Sequence, residues 1–197
     1  KPMSELKVVG TAVPRAEGND KVSGLTLYAA DVNLPGTLWA KILRSPHPHA
    51  RIRRVDVSKA LKVPGVRAII TGADVKGNLI GKQIRDLPVL CWEKVRFVGD
   101  RVAAVAADTV DAAEEATHLI DVDYEILPAV FDPLEAMAPG APVLHDNVGE
   151  YDGAPKNILA ADLRNGLTRL AWKKRDVEQG FRDADLLFEH TFNVPAR

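Results

Sequence analysis

His47 and His49 stand two residues apart in the run SPHPHA, a spacing that in a regular strand would put both imidazoles on one face and within reach of one metal ion. Pro46 and Pro48 interrupt that strand, and no cysteine or third histidine is near in sequence, so a structural turn is the better reading. His118, His145 and His190 are solitary and read as core or surface histidines. Cys91, the only cysteine, lies beside Trp92 in an apolar stretch with Lys94 as its nearest cation; it reads as a buried, inert thiol rather than a nucleophile. Without a nucleophile, a histidine hydrolase has nothing to work with.

The remaining candidates fall in the same way. Gly72, Gly77 and Gly81 suggest a phosphate loop, but Asn78 follows the G-x-x-x-x-G where such a loop carries Lys and then Ser or Thr. Glu114 and Glu115 are adjacent, and neighbours on a helix point about 100° apart, so they make no catalytic carboxylate pair. Arg51, Arg53 and Arg54, and separately Lys173, Lys174 and Arg175, are short basic clusters that read as solvated faces. Trp39 is expected either in the core or as the anchor of a subunit contact. No catalytic, cofactor-binding or metal residue is assigned from the sequence.

The totals narrow the class further. The chain has 197 residues, 46% apolar and 27% charged, an ordinary balance for a folded domain. Lys and Arg total 26 against 27 Asp and Glu, so no net field draws it to nucleic acid or an anionic membrane. A single cysteine excludes an internal disulfide and suits a reducing compartment, for which cytoplasm is the plain expectation. No run approaches the roughly 18–20 apolar residues of a membrane helix, and KPMSELK does not resemble a signal peptide.

The elements that must position these residues alternate in type. Gly10 to Gly24 mixes turn formers and charges and should run over a surface. Thr37–Leu43 and Arg51–Val57 read as strands in a hairpin-like pair with an irregular connection. Ser58 is placed to cap a short helix through Leu61, stopped by Pro64 and Gly65 before a strand Val66–Thr71. Gly72 to Glu93 reads as a long, mobile loop. Val95–Val98 and Val102–Ala107 read as a strand pair joined at Gly99-Asp100, and the small side chains of the second run call for something packed closely over it.

Ala112, Ala113, Ala116, Leu119 and Ile120 recur at helical spacing, with Asp108 or Thr109 as cap. Ile120, Val122, Tyr124 and Ile126 then alternate with acidic residues, as in a strand with one buried face. Asp132 to Leu170 reads as a connector laid over another surface. Asp176 with Gln179 can form a reciprocal cap for a short helix on which Val177, Phe181 and Ala184 share a face. Leu186, Phe188, His190, Phe192 and Val194 read as a closing strand, and the halt at Pro195-Ala196-Arg197 reads as an interruption of a longer chain.

Taken in order, KVSGLTLYAAD from Lys21, LPGTLWAKILRSPHPHARI from Leu34, VRFVGDRVAAVAAD from Val95 and DVDYEILPAV resemble the molybdenum hydroxylases, the xanthine dehydrogenase, aldehyde oxidase and carbon monoxide dehydrogenase family. The resemblance falls on the a/b hammerhead domain of the molybdenum-bearing large subunit, from about Lys21 to Val130. The tail from Asp176 resembles the opening of the next domain, with Arg175 where that family commonly has glycine. It implies an α+β fold: a lead-in over 1–19, a hammerhead-like domain of mixed sheet and short helices over 20–130, and over 131–197 a connector and the start of a molybdopterin-binding domain.

The same resemblance implies a bacterial large subunit whose pterin loops and catalytic glutamate lie in later segments, so that this span alone is inactive scaffold. The full-length protein would be an oxidoreductase carrying molybdopterin, in its cytosine dinucleotide form, with iron-sulfur clusters and FAD on partner subunits. Its substrate stays open among purines, aldehydes, aromatic acids, acyl-CoA esters and carbon monoxide. An alternative within the same fold is an interaction module that docks the iron-sulfur or flavin subunits.

Overall fold

The computed structural model describes residues 10, 12–154, 165, 174–192 and 194. Its strands divide between two three-stranded antiparallel sheets and a short ribbon. The first sheet has the order β1 (Trp39–Arg44), β7 (Arg101–Ala107), β3 (Val66–Thr71). The second has the order β6 (Lys94–Val95), β2 (Ala50–Asp56), β8 (Asp121–Ile126). The ribbon pairs β4 (Leu79–Ile80) with β5 (Leu87–Pro88). The helices are α1 (Gly18–Ser23), α2 (Val110–His118), α3 (Pro133–Ala136) and α4 (Val177–Arg182). The α+β class is as expected.

The pairing of β1 and β2 is not. β1 pairs with β7, and β2 with β6 and β8, so no hairpin joins them. The strand pair expected across Gly99-Asp100 is split in the same way, β6 going to one sheet and β7 to the other. Both changes of sheet happen at one corner, where they are tied together: Ser45 N–H donates to Asp100 O at 2.8 Å, and Gly99 N–H donates to Ser45 O at 2.8 Å. Gly99, at φ +91°, supplies the left-handed residue that the second turn needs. The physical reason for the split lies in β7: apolar on both faces, it is most stable as a central strand with a neighbour on each side.

Over one face of β7 lies α2, seated as the run of small residues requires. Ala113 and Ala116 are fully buried in one cluster with Ala103, Val105 and Ala107. Thr109 caps this helix, its Oγ1 accepting from Ala112 N–H at 3.1 Å. Val55, Val57 and Val122 pack against the same cluster and join the second sheet to it. Ile126, expected on the buried face of β8, is exposed. Ser58 caps nothing. Its own N–H donates to Asp56 Oδ1 at 2.9 Å, and only a 3-10 turn, Ala60–Lys62, follows.

The span from Gly72 to Glu93 is built rather than loose, which corrects the expectation of a mobile loop. The ribbon is closed by Val89 N–H donating to Asn78 O, and is tied to the connector by Arg85 N–H donating to Asp152 O at 2.9 Å. Val148, Tyr151 and Ala154 bury themselves against Leu79 and Ile84. The connector is therefore the packing partner of this span, a relation between residues about 70 apart that no local pattern carries. Asp132 caps α3 through the N–H groups of Leu134 and Glu135. Asn165 holds the stretch after α3 by accepting from Leu144 N–H and donating to Ala136 O and Pro142 O.

At α4, Asp176 Oδ1 accepts from Gln179 N–H at 3.0 Å, but the cap is not reciprocal, because the Gln179 amide turns to Asp183 and Arg182. Val177 and Phe181 are exposed, and no strand forms over residues 186–192 or 194. A strand needs a partner edge, and among the described residues none is paired with this stretch. Lys173, most of the connector between 155 and 173, and the final Pro195-Ala196-Arg197 lie outside the described residues.

Candidate functional site

Polar side chains are drawn inward at two places. The first is the corner where the chain changes sheets. Asp100, 1% exposed, accepts from Arg101 N–H at Oδ1 (3.0 Å) and from Arg96 N–H at Oδ2 (3.1 Å). Cys91 is buried against it, and burial first, then the Asp100 carboxylate, pushes the thiol well above its ordinary range. Such a thiol is poorly nucleophilic. Burial also raises the Tyr124 phenol, against the lowering effect of a hydrogen bond with Ser45. His47 stands edge-on to Tyr124 with ring centroids 5.0 Å apart.

The second place lies where the connector crosses β6. Lys94 Nζ donates to Asp146 Oδ2 at 2.6 Å; the lysine side chain is 9% exposed and the aspartate 68%, so the pair sits on the boundary with solvent. The Lys94 ammonium holds the Asp146 carboxyl below the usual carboxylate range. Arg96 Nε donates to Leu144 O at 2.8 Å, and His145 Nδ1 lies 2.9 Å from Tyr151 Oη. Burial, then Arg96, lowers the His145 imidazole. Beside this cluster is a cleft of about 150 Å³ in which Lys94 and Arg96 face Asp86 and Glu93.

His49 is 3% exposed. Its Nδ1 is 2.6 Å from Pro128 O, and since a carbonyl only accepts, Nδ1 carries the proton; Nε2 is buried without a partner. With Nδ1 committed to Pro128 and His47 turned to Tyr124, the two histidines are not brought together as a ligand pair. Among the described residues, no group of three His, Cys, Asp or Glu side chains could hold a metal ion. Arg51, Arg53 and Arg54 are engaged by Glu93, Glu125, Asp56 and Asp121 on the outer face of the second sheet. Glu114 bonds Lys41 at 2.9 Å, as a solvated helix face does. Trp39 is 50% exposed and lines a groove of about 280 Å³ with Leu34 and Leu38.

The residues most deeply committed, Asp100 and Lys94, showed in the sequence only as part of the Gly99-Asp100 turn and as the cation nearest Cys91; nothing local marked either as a buried tie. Every buried polar group named here except His49 Nε2 ends on a backbone or side-chain partner of this same chain, which is how a joint is built.

Residues 23–128 match the family described as "Aldehyde oxidase and xanthine dehydrogenase, a/b hammerhead domain". The chain belongs to this family. The hammerhead match covers both sheets, the ribbon and α2, and the molybdenum hydroxylase resemblance of the opening blocks is thereby established. A probable xanthine dehydrogenase subunit of Bacillus subtilis is 42% identical over 182 residues, covering 92% of this chain and 22% of that protein. The "Carbon monoxide dehydrogenase large chain" of Afipia carboxidovorans is 40% identical, covering 73% of this chain and 18% of that protein. Among solved structures, reconstituted CO dehydrogenase from Oligotropha carboxidovorans superposes with a TM-score of 0.67 at 38% identity, covering 72% of this chain and 18% of that one. The hammerhead chain therefore spans about a fifth of the length of the relatives that it matches. Among the described residues no helix is long and apolar enough to cross a membrane.

Proposed function

We propose that this chain is the scaffold portion of a molybdenum hydroxylase large subunit, and that the whole protein is an oxidoreductase that carries molybdopterin on other segments. The observation that carries this reading is the use made of the buried polar groups: Asp100, Lys94 and Arg96 hold strand turns and the connector, and among the described residues they leave no convergent donor set for a substrate. The clefts support it too. The groove of about 280 Å³ lined by Ala30, Leu34 and Trp39 has no charged side chain to hold a pyrophosphate. In the polar cleft of about 150 Å³, Lys94 and Arg96 already donate to Asp146 and to Leu144 O and are matched by Asp86 and Glu93, so the lining offers cofactor phosphates no net positive charge. These residues do not fit the pterin, and no chemical step is assigned to them.

The finer parts of the proposal follow from the family resemblance. Cytosine dinucleotide as the pterin's form, iron-sulfur and flavin partner subunits, a cytoplasmic setting, and the division into 1–19, 20–130 and 131–197 all belong to it. The packing of Val148 and Tyr151 on the ribbon supports a connector that is integral to the domain over its first part. Half-exposed Trp39 and its groove favour a second role, as a contact for a partner subunit.

Production of this 197-residue span, followed by metal analysis and a dye-linked oxidation assay with purine, aldehyde and carbon monoxide, tests the reading. Protein without molybdenum and without turnover is expected. Stoichiometric molybdenum with turnover would overturn the scaffold role.

A further inference from the structure

Each sheet has an outward side that the α2 core does not cover, and those sides are built differently. On the first sheet Val102, at one end of it, is buried with Ala50 and Val95 of the second sheet, and the uncovered part lies beyond it. On the second sheet the outward side chains are Arg51, Arg53 and Arg54 with Glu125, Asp121 and Glu93, paired as ions. That is the alternation an antiparallel sheet shows when one side meets water. On the first sheet it is missing. Ala104 of β7 lies opposite Ile42 of β1 and Ile70 of β3, and Ala106 lies opposite Ala40 and Ala68. None of the six is polar. All alternate with Ala103, Val105 and Ala107, the residues that meet α2, so they point to the other side. Ala40, Ala68 and Ile70 are exposed and the other three half-buried. Among the described elements, those in substantial contact with this sheet, α2 and the Ala60–Lys62 turn, sit in the cluster on the opposite side.

The shape of this face selects its occupant. Two alanines form the floor and isoleucines stand on the flanking strands, whose axes are about 10 Å apart, close to the diameter of a helix. The other side of the same strand already seats a helix, α2, over its small residues. The patch measures only about 200 Å² from strand spacing and rise, far below the ~800 Å² per partner of a stable complex. A second copy or a separate protein would have too little to hold. An element joined covalently needs much less, because its local concentration is already high. The relatives extend well beyond this chain, which spans 22% and 18% of their lengths.

We infer that the six-residue face of Ala40, Ile42, Ala68, Ile70, Ala104 and Ala106 is the seat of an apolar, small-residue helix from the remainder of the same large subunit. This rests on the large-subunit reading above. In the full-length protein, Ala68→Cys and, on the ionic face, Arg53→Cys are alkylated with a maleimide in native buffer and in urea, and each thiol is followed by peptide mass spectrometry. The Ala68→Cys thiol is expected to be protected at least about 100-fold relative to urea, and the Arg53→Cys thiol less than about 10-fold. Ile70→Cys repeats the measurement if Ala68→Cys does not accumulate as folded protein.

Equal, fast labelling at both positions would overturn the inference. So would protection that disappears on 100-fold dilution, which would assign the face to a second copy. Molybdenum content of the same preparations separates the two readings: bound metal with an unprotected Ala68→Cys thiol overturns the seat alone, while protection without metal supports the seat and counts against the enzyme reading.

Discussion

Removing the Asp100 carboxylate should loosen both sheet crossovers at once. Asp100→Ala leaves the N–H groups of Arg96 and Arg101 buried without their acceptor. Each orphaned donor costs about 1–3 kcal/mol, while relief from burying a carboxylate returns part of the sum, so a net loss of about 3 kcal/mol is expected. For a chain of this size that corresponds to a fall of about 6–12 °C in Tm. Asp100→Asn keeps one acceptor oxygen and should lose about half as much. Cys91, the only thiol, is buried against this carboxylate and reports the same opening locally. If labelling by a disulfide reagent proceeds through unfolding, 3 kcal/mol raises its rate about 150-fold, on top of a reference rate measured in urea. Urea unfolding followed by circular dichroism gives the global value independently. If Asp100→Ala melts within 1 °C of the parent protein and leaves the Cys91 labelling rate unchanged, the joint at Asp100 is not what holds the two sheets together.

Two further outcomes are expected. At Gly72 an added Cβ would sit 2.0 Å from Cys91 O and 2.7 Å from Trp92 Cα, both backbone atoms, so Gly72→Ala must push the end of β3 off that segment; a loss of about 2–4 kcal/mol in urea unfolding checks it, and a neutral result would refute the close approach. Asp146 has its carboxyl lowered by Lys94, so its contribution is present above the ordinary carboxylate pKa of ~3.9 and is lost as pH falls through the lowered folded value. Asp146→Asn should therefore be less stable than the parent at pH 7, with the gap closing below about pH 4, and a gap independent of pH would show that the pair is not the cause.

The elements that can be read from the chain are those whose cause is local. β3 runs over Val66–Thr71 as its apolar residues and the preceding Pro64-Gly65 indicate. α2 follows the spacing of its alanines, with Thr109 as cap. The closeness of packing over β7 was legible because only small side chains occur there. The order of the blocks was enough to point to the family.

What could not be read is which strand meets which. A run such as Trp39–Arg44 carries the same alternation whether its neighbour is β2 or β7, and the preference arises only when β7, apolar on both faces, takes the centre of a sheet. The Gly72–Glu93 span looked loose because what orders it, Val148, Tyr151 and Asp152, lies about 70 residues away. The tail from Leu186 has strand-like residues and no ladder, since alternation supplies a face but never an edge to pair with. Local preference is a property of neighbouring residues, whereas pairing and burial are settled by competition among segments far apart in the chain, and that competition is resolved only in the folded molecule.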